Sequence, residues 1–197
     1  MSRSNYPSAK EKFQKLDKAG KTGVDFDFVL PNEDTFRFCQ RYRVAKSFEG
    51  IELRGYSAAT TTGYSGLFKI LLAWSAFERF LTITGKTQAG CTALLAPYDL
   101  ETAIEKIRAI DKGGKFYHFL AGEVNVRHQQ ELLKYFQGKP FNITYLASAV
   151  RHIFAHGSLT AHANKTNPGT IKQIANVLRD FLLLVLDSEF TKHVNRA

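Results

Sequence analysis

The chain has 197 residues, enough for one sizeable hydrophobic core, and this length does not require two domains. Hydrophobic residues make up 44% of it and include 16 phenylalanines, so there is ample material to fill that core. Twenty-seven basic against 18 acidic residues give a formal net charge of +9, which favours polyanionic partners, nucleic acid before anionic membranes.

Nothing in the composition points to a secreted or membrane protein. The two cysteines, Cys39 and Cys91, lie far apart and in no metal-ligand spacing. Residues 1–21 are polar and basic, without the apolar stretch of a signal peptide. The longest apolar stretches, residues 67–81 and 181–186, carry charges or are too short to span a bilayer. We therefore expect a soluble cytoplasmic protein with reduced thiols.

The first third of the chain predicts two helices with a strand between them. A polar helix is expected over residues 7–20 and another over residues 32–48, after Pro31. Residues 23–30 alternate in the manner of a β-strand. Residues 51–56 can form a second strand, so a strand or small β hairpin is expected in this region. The apolar positions that define the first strand are Val24, Phe26, Phe28 and Leu30.

The rest of the chain predicts helices and loops. Apolar residues recur at helical spacing between residues 64 and 84, which is typical of a long buried helix. Capping residues and glycines set the bounds of the other helices. We therefore predict one mainly α domain over residues 1–197, with residues 1–30 as an N-terminal extension. The further helices are expected over residues 100–110, 123–136, 143–156 and 168–193. Residues 85–97 are expected to form a loop or a short turn of helix, and residues 158–167 a polar loop.

The most informative segment ends the helix that Asn142 is expected to cap. It reads Arg151-His-Ile-Phe-Ala-His156 and is followed by Gly157. An arginine carries a permanent charge that suits a phosphate, and an imidazole can move a proton near neutral pH. Together these two groups can cleave RNA without a metal.

The spacing of this motif indicates a composite site. Arg151 and His156 lie five positions apart, so their side chains leave a regular helix about 140° apart. One helix alone therefore makes an awkward site. Two copies that face each other across a dimer axis would bring two arginines and two histidines into one groove.

The segment resembles the signature of the HEPN superfamily, helical domains that include many ribonuclease toxins and the RNA-cleaving parts of some CRISPR effectors. In that signature an Arg and a polar residue are followed by a short spacer and a His near a helix end. Arg151, His152 and His156 occupy these places. The resemblance implies a HEPN-like helical bundle that cuts RNA in a cleft between paired domains, using the 2′-hydroxyl of the substrate and no metal or cofactor.

The resemblance also implies roles for individual residues. Arg151 would neutralise the phosphate, His156 would act as general acid or base, and His152 would support them. Relatives often place an acidic residue on an earlier helix, and Glu78 is the candidate for it. The alternative for Glu78 is an ordinary ion pair with Arg79 or a lysine.

Two further residues belong to the candidate site. Some relatives carry a tyrosine two positions beyond the His, which a partner enzyme modifies, but here Ser158 stands at that position. The resemblance therefore does not extend to that regulation, and Ser158 remains a candidate substrate contact. Lys69 on the long central helix is either a surface lysine with an apolar stem or a phosphate contact.

Two other chemistries are not supported by the sequence. His152 and His156, with His162 as a third ligand, have a spacing that suits zinc, but Ile153 stands where the zincin pattern requires Glu. The Gly-Lys-Thr triplet at residues 85–87 lacks the upstream glycine of a phosphate-binding loop.

We therefore expect a metal-independent RNA endonuclease of a toxin, defence or stress system. Its expected partners are RNA, a second copy of the chain and an antitoxin-like protein. The alternative is a catalytically silent helical module that binds RNA or a protein. In that case Arg151 would stabilise a dimer or hold an anion.

Overall fold

The computed structural model describes residues 5–197, which fold into α-helices joined by turns and short 3-10 segments. The mainly helical prediction is confirmed, whereas no strand occurs in the described part of the chain, so the predicted strand or hairpin is wrong. In chain order the helices are α1 (Lys10–Lys18), α2 (Asn32–Ser47), α3 (Ala58–Ile83), α4 (Thr92–Leu95), α5 (Leu100–Ile110), α6 (Lys115–Glu123), α7 (Val126–Phe136), α8 (Thr144–Ala155) and α9 (Pro168–Arg196).

Helices α3 and α9 form the centre of the fold, and α2, α5 and α8 pack around them. Ser57 caps α3 by accepting a hydrogen bond from the Thr60 N–H, so α3 begins several residues before the predicted start at residue 64. The two long helices approach closely at Gly66, where an added Cβ would lie 2.9 Å from the Cα of Lys172. Only a residue without a side chain fits this crossing.

The predicted strand over residues 23–30 is instead a 3-10 turn at Gly23–Phe26 followed by irregular chain. Phe26 and Phe28 are buried because they enter the aromatic core from this turn, with the Phe26 ring 4.9 Å from that of Phe13. The alternation of apolar and polar residues over 23–30 therefore does not come from the two faces of a sheet. It arises because Phe26 and Phe28 pack between helices. Only one main-chain bond ties the segment to α3, from the Val29 N–H to the Ile83 carbonyl at 2.8 Å.

Residues 51–56 are irregular as well, which overturns the second predicted strand. The Ile51 N–H donates to the hydroxyl of Ser65 on α3 at 3.1 Å, and Tyr56 is exposed. The segment lies along α3 and leads into the cap at Ser57, and no strand lies beside it in residues 5–197.

Helix α6 was not predicted. The carboxylate of Asp111 accepts hydrogen bonds from the N–H groups of Phe116 and Tyr117, at 3.2 and 3.1 Å. These bonds satisfy two of the free donors of the first helical turn. Helix α6 therefore begins directly after Gly113 and Gly114, the glycine pair that follows α5, and Gly114 adopts the left-handed conformation at φ 65°.

A single hydrophobic cluster runs through the described chain from Phe13 on α1 to Val194 on α9. The predicted N-terminal extension is part of it, since Phe13, Phe26 and Phe28 are among its members. Within residues 5–197, no helix combines the length and apolar character needed to cross a membrane.

The crossing of α3 and α9 gives a first prediction. Gly66→Ala should lower the free energy of unfolding by about 1–3 kcal/mol, because the new Cβ meets main-chain atoms that cannot rotate away. Thermal unfolding followed by circular dichroism measures the effect, with a fall in Tm of roughly 2–4 °C per kcal/mol. Gly122→Ala on α6 is the control, since a Cβ there meets nothing within 4 Å. Equal melting temperatures for the two variants would contradict the close crossing.

Candidate functional site

The first two turns of α8 are enclosed by the protein, and polar side chains hold them at the end of α3. Residues 141–150 are all buried. Asn142, the predicted cap, lies one residue before the N-cap position at Ile143, and its Oδ1 accepts from the Thr144 N–H at 3.1 Å. Its Nδ2 donates to the carbonyl of Gln88, which follows α3, at 3.1 Å. The Gln88 Nε2 in turn donates to the Ser148 hydroxyl at 2.8 Å.

The other end of α8 emerges from the protein and carries the predicted motif. Gly157 stands in the left-handed conformation, with φ 79°. Its N–H donates to the Phe154 carbonyl at 3.1 Å, and the Ser158 N–H donates to the Ile153 carbonyl at 3.2 Å. This bond pattern is a Schellman motif, so the predicted end of the helix at this glycine is confirmed. Ser158 is exposed next to it.

Three histidines line one side of this helix. The rings of His152 and His156 are in edge-to-face contact, with centroids 4.5 Å apart. One turn before His152, the Ser148 hydroxyl lies 3.0 Å from Nε2 of His128, which comes from α7. Residues 148, 152 and 156 recur every four positions, so they share one face of the helix. We call His128, His152 and His156 the histidine row.

Arg151 is exposed and stands apart from the histidine row. It makes no hydrogen bond or ion pair with any residue between 5 and 197. Its side chain leaves the helix about 100° from His152 and about 140° from His156. Within one chain the motif therefore presents an unpaired cation on one side and paired imidazoles on the other.

Glu78 is exposed on α3, and no hydrogen bond or ion pair joins its carboxylate to Arg151 or to another residue of 5–197. The neighbouring Arg79 forms an ion pair with Asp34 of α2 instead. Glu78 is thus a free carboxylate in the described chain. Arg79, one of the ion-pair partners expected for it, is bonded to Asp34 instead.

Lys69 is not a surface lysine, because only 7% of it is exposed. It lies between α3 and α9, and its Nζ donates to Oδ1 of Asn176 at 2.9 Å. Burial lowers the pKa of this ammonium group, and the charges of Arg179 and Lys172 lower it further. The structure therefore gives Lys69 a place in the helix crossing.

His128 was missed by the sequence reasoning, although the chain carries a signal for it. Arg127-His128 repeats the Arg-His pair of Arg151-His152. Asn125 caps α7 by accepting from the His128 N–H at 3.1 Å, and this cap places the histidine against α8. Burial is the main cause that lowers the pKa of His128, and His152 and Arg127 add to it. Its ring is therefore neutral near pH 7.

The described chain holds no cluster of three or more His, Cys, Asp or Glu side chains arranged to hold a metal ion. His162, the third ligand considered from the sequence, lies beside α3 instead. Its Nε2 is 3.2 Å from the hydroxyl of Thr60.

The lowered pKa of His128 gives a second prediction. Below about pH 6.5 the unfolded chain binds a proton at this position before the folded chain does, so stability is lost as the pH falls. His128→Gln should therefore lose less melting temperature than the wild type between about pH 7.5 and about pH 5.5. The melting temperature of His128→Gln should still fall to some extent with pH, because burial also lowers the pKa of His193. Identical declines in differential scanning calorimetry would contradict the assignment to His128.

Comparison of this chain with protein-family models, with curated proteins and with solved structures gives no match. What the exposed end of α8 does must therefore be argued from its own residues. These are an unpaired arginine and a row of three histidines. Glu78 is not beside them, because the exposed end of α8 packs on α3 at Tyr64 and Phe68, about 15 Å along the helix from Glu78.

Proposed function

We propose that the protein is a metal-independent RNA endonuclease of the HEPN type that acts as a homodimer. The observation that carries the proposal is the exposed, unpaired guanidinium of Arg151 on the same helix end as the edge-to-face pair His152 and His156. The net charge of +9 supports a polyanionic substrate.

The proposed reaction uses the 2′-hydroxyl of the RNA as nucleophile. A neutral histidine takes the 2′-hydroxyl proton while the 2′-oxygen forms a bond to the adjacent phosphorus. The bond from phosphorus to the 5′-oxygen of the next nucleotide breaks, and a protonated histidine supplies the proton that this oxygen takes up. The products are a 2′,3′-cyclic phosphate and a 5′-hydroxyl. The guanidinium of Arg151 stabilises the additional negative charge on the phosphate oxygens during the transfer.

The separation of Arg151 from His156 within one protomer supports a composite site. The two side chains leave α8 about 140° apart, and the helix end that carries them is exposed. A two-fold axis beside this end would bring the arginine of one protomer towards the histidines of the other. A monomer would leave the site incomplete, and the chain would then act as a binding module.

The remaining candidate residues take different roles in this proposal. His152 contacts His156 and orients its ring, and Ser158 lies exposed beside it as a substrate contact. Glu78 is left out of the site within one chain, because the exposed end of α8 packs on α3 at Tyr64 and Phe68, ten residues or more before Glu78. Lys69 is left out of the site, because its ammonium group is buried and bonded to Asn176.

A nuclease of this kind requires restraint in its host. The resemblance to ribonuclease toxins supports a toxin, defence or stress role, with an antitoxin-like protein as a partner. Expression in a host tests this part of the proposal. The wild type should slow growth and His156→Ala should not.

The proposed chemistry gives a third prediction. His156→Ala should lower the rate of RNA cleavage in EDTA by about 10²–10⁴-fold while RNA binding is retained, because the variant removes a proton-transfer group. Cleavage of a mixed-sequence RNA, followed by gel electrophoresis and end-group analysis, measures this loss. His118→Ala is the matched control, since His118 is exposed on α6 and stacks on Phe136. Failure of the wild type to cut a broad RNA panel while it binds RNA would favour the binding module.

The composite site gives a fourth prediction. Arg151→Ala and His156→Ala should each cleave RNA much more slowly than the wild type when alone, whereas a mixture allowed to exchange protomers should recover part of the activity. The recovery arises because a mixed dimer retains one arginine and one histidine in the shared groove. Analytical ultracentrifugation and differently tagged protomers establish that exchange has occurred. Exchange without recovery would contradict a site in which the arginine of one protomer acts with the histidine of the other.

A further inference from the structure

An open cleft lined by both apolar and polar groups adjoins the histidine row on the side of α7. It lies between the start of α7 and the chain that follows α3, and its volume is about 760 Å³. This volume lies in the range of small-molecule sites. The residues that line it include Thr87, Gln88, Asn125, Arg127, His128 and Tyr145.

The cleft and the histidine row are neighbours because they share His128. Its ring packs edge-to-face on Tyr145, which lines the cleft, at a centroid distance of 5.2 Å. The Nε2 of the same ring lies 3.0 Å from the Ser148 hydroxyl, one turn before His152 on α8. The cleft therefore adjoins the end of the histidine row that His128 forms.

Several groups in the cleft have no partner in the described chain. Arg127 is exposed and makes no hydrogen bond or ion pair with residues 5–197. The Oδ1 of Asn125 caps α7, whereas its Nδ2 donor is unused within the same residues. The Nε2 of Gln88 donates to Ser148, and its Oε1 acceptor is likewise unused there. The cleft thus offers a cation, an amide donor and an amide acceptor.

We propose that this cleft binds one nucleotide of single-stranded RNA beside the scissile phosphate, with Arg127 on the backbone phosphate and the amides of Asn125 and Gln88 on the edge of the base. The proposal rests on the proposed function for the identity of the scissile phosphate. A guanidinium matches the geometry of a phosphate, and paired amide groups match the donor and acceptor edges of a base. The base must be unpaired to present that edge inside a cleft, so the substrate class is single-stranded RNA.

Binding of a 2′-O-methyl RNA oligonucleotide, measured by fluorescence anisotropy, tests the cleft apart from catalysis. The methyl group blocks the 2′-nucleophile, so the probe stays intact whether or not the protein is a nuclease. Arg127→Ala should raise Kd about tenfold, as expected for one charge-assisted hydrogen bond. The logarithm of the association constant falls with the logarithm of the salt concentration, and Arg127→Ala should make this slope about 0.7 less steep.

Asn125→Ser separates the base contact from the structure of α7. Serine caps a helix as well as asparagine does, so α7 is retained while the amide donor is removed. This variant should raise Kd for the single strand about fivefold and leave Kd for a duplex of the same sequence unchanged. Lys12→Ala is the control, since Lys12 is an exposed cation on α1 whose Nζ donates to Asn195 of α9 at 2.9 Å.

The outcomes distinguish the cleft from the nuclease. If Arg127→Ala and Asn125→Ser bind the probe as Lys12→Ala does, the cleft proposal is overturned, even where the wild type cuts RNA and His156→Ala does not. If both cleft variants weaken binding while the wild type cuts no RNA, the cleft stands as an RNA-binding site and the nuclease fails. Weaker binding by the cleft variants together with cleavage that depends on His156 supports both proposals.

Discussion

The close approach of other segments to glycines on α3 is the constraint on which the candidate site depends. A Cβ at Gly66 would meet the main chain of Lys172 on α9. One turn earlier, a Cβ at Gly63 would lie 2.8 Å from the Cβ of Ala161, in the loop that follows α8. The face of α3 that seats α9 therefore also fixes the chain leaving α8. The exposed end of α8 is held in place because of this contact, although its own last turn faces solvent.

The buried start of α8 adds a second restraint, and this restraint is polar. Asn142 and Gln88 link the helix to the end of α3, and Ser148 receives a bond from Gln88 while it also lies against His128. The hydroxyl that anchors the helix thus positions the first member of the histidine row. Fold and candidate site share these groups, so stability and the proposed activity depend on the same hydrogen bonds.

Local patterns predicted most of the helices, because a helix that packs on a core shows its buried face as a repeat of apolar residues. The same logic failed over residues 23–30. Phe26 and Phe28 are buried there for a different reason, since an irregular chain inserts them between helices. Helix α6 escaped prediction because the side chain of Asp111, before the glycine pair, satisfies its first N–H groups. Both differences come from contacts that a periodic pattern does not report.

The sequence by itself determined the motif, its position at a helix end and the stop at Gly157, because caps and glycine conformations depend on neighbouring residues. Only the tertiary structure decided which groups meet there. It placed the His156 ring on His152 and brought His128 of α7 to the same face. It buried Lys69 against Asn176 of α9. These side-chain contacts depend on how helices that are far apart in the sequence cross. The spacing of residues within one helix does not specify that crossing.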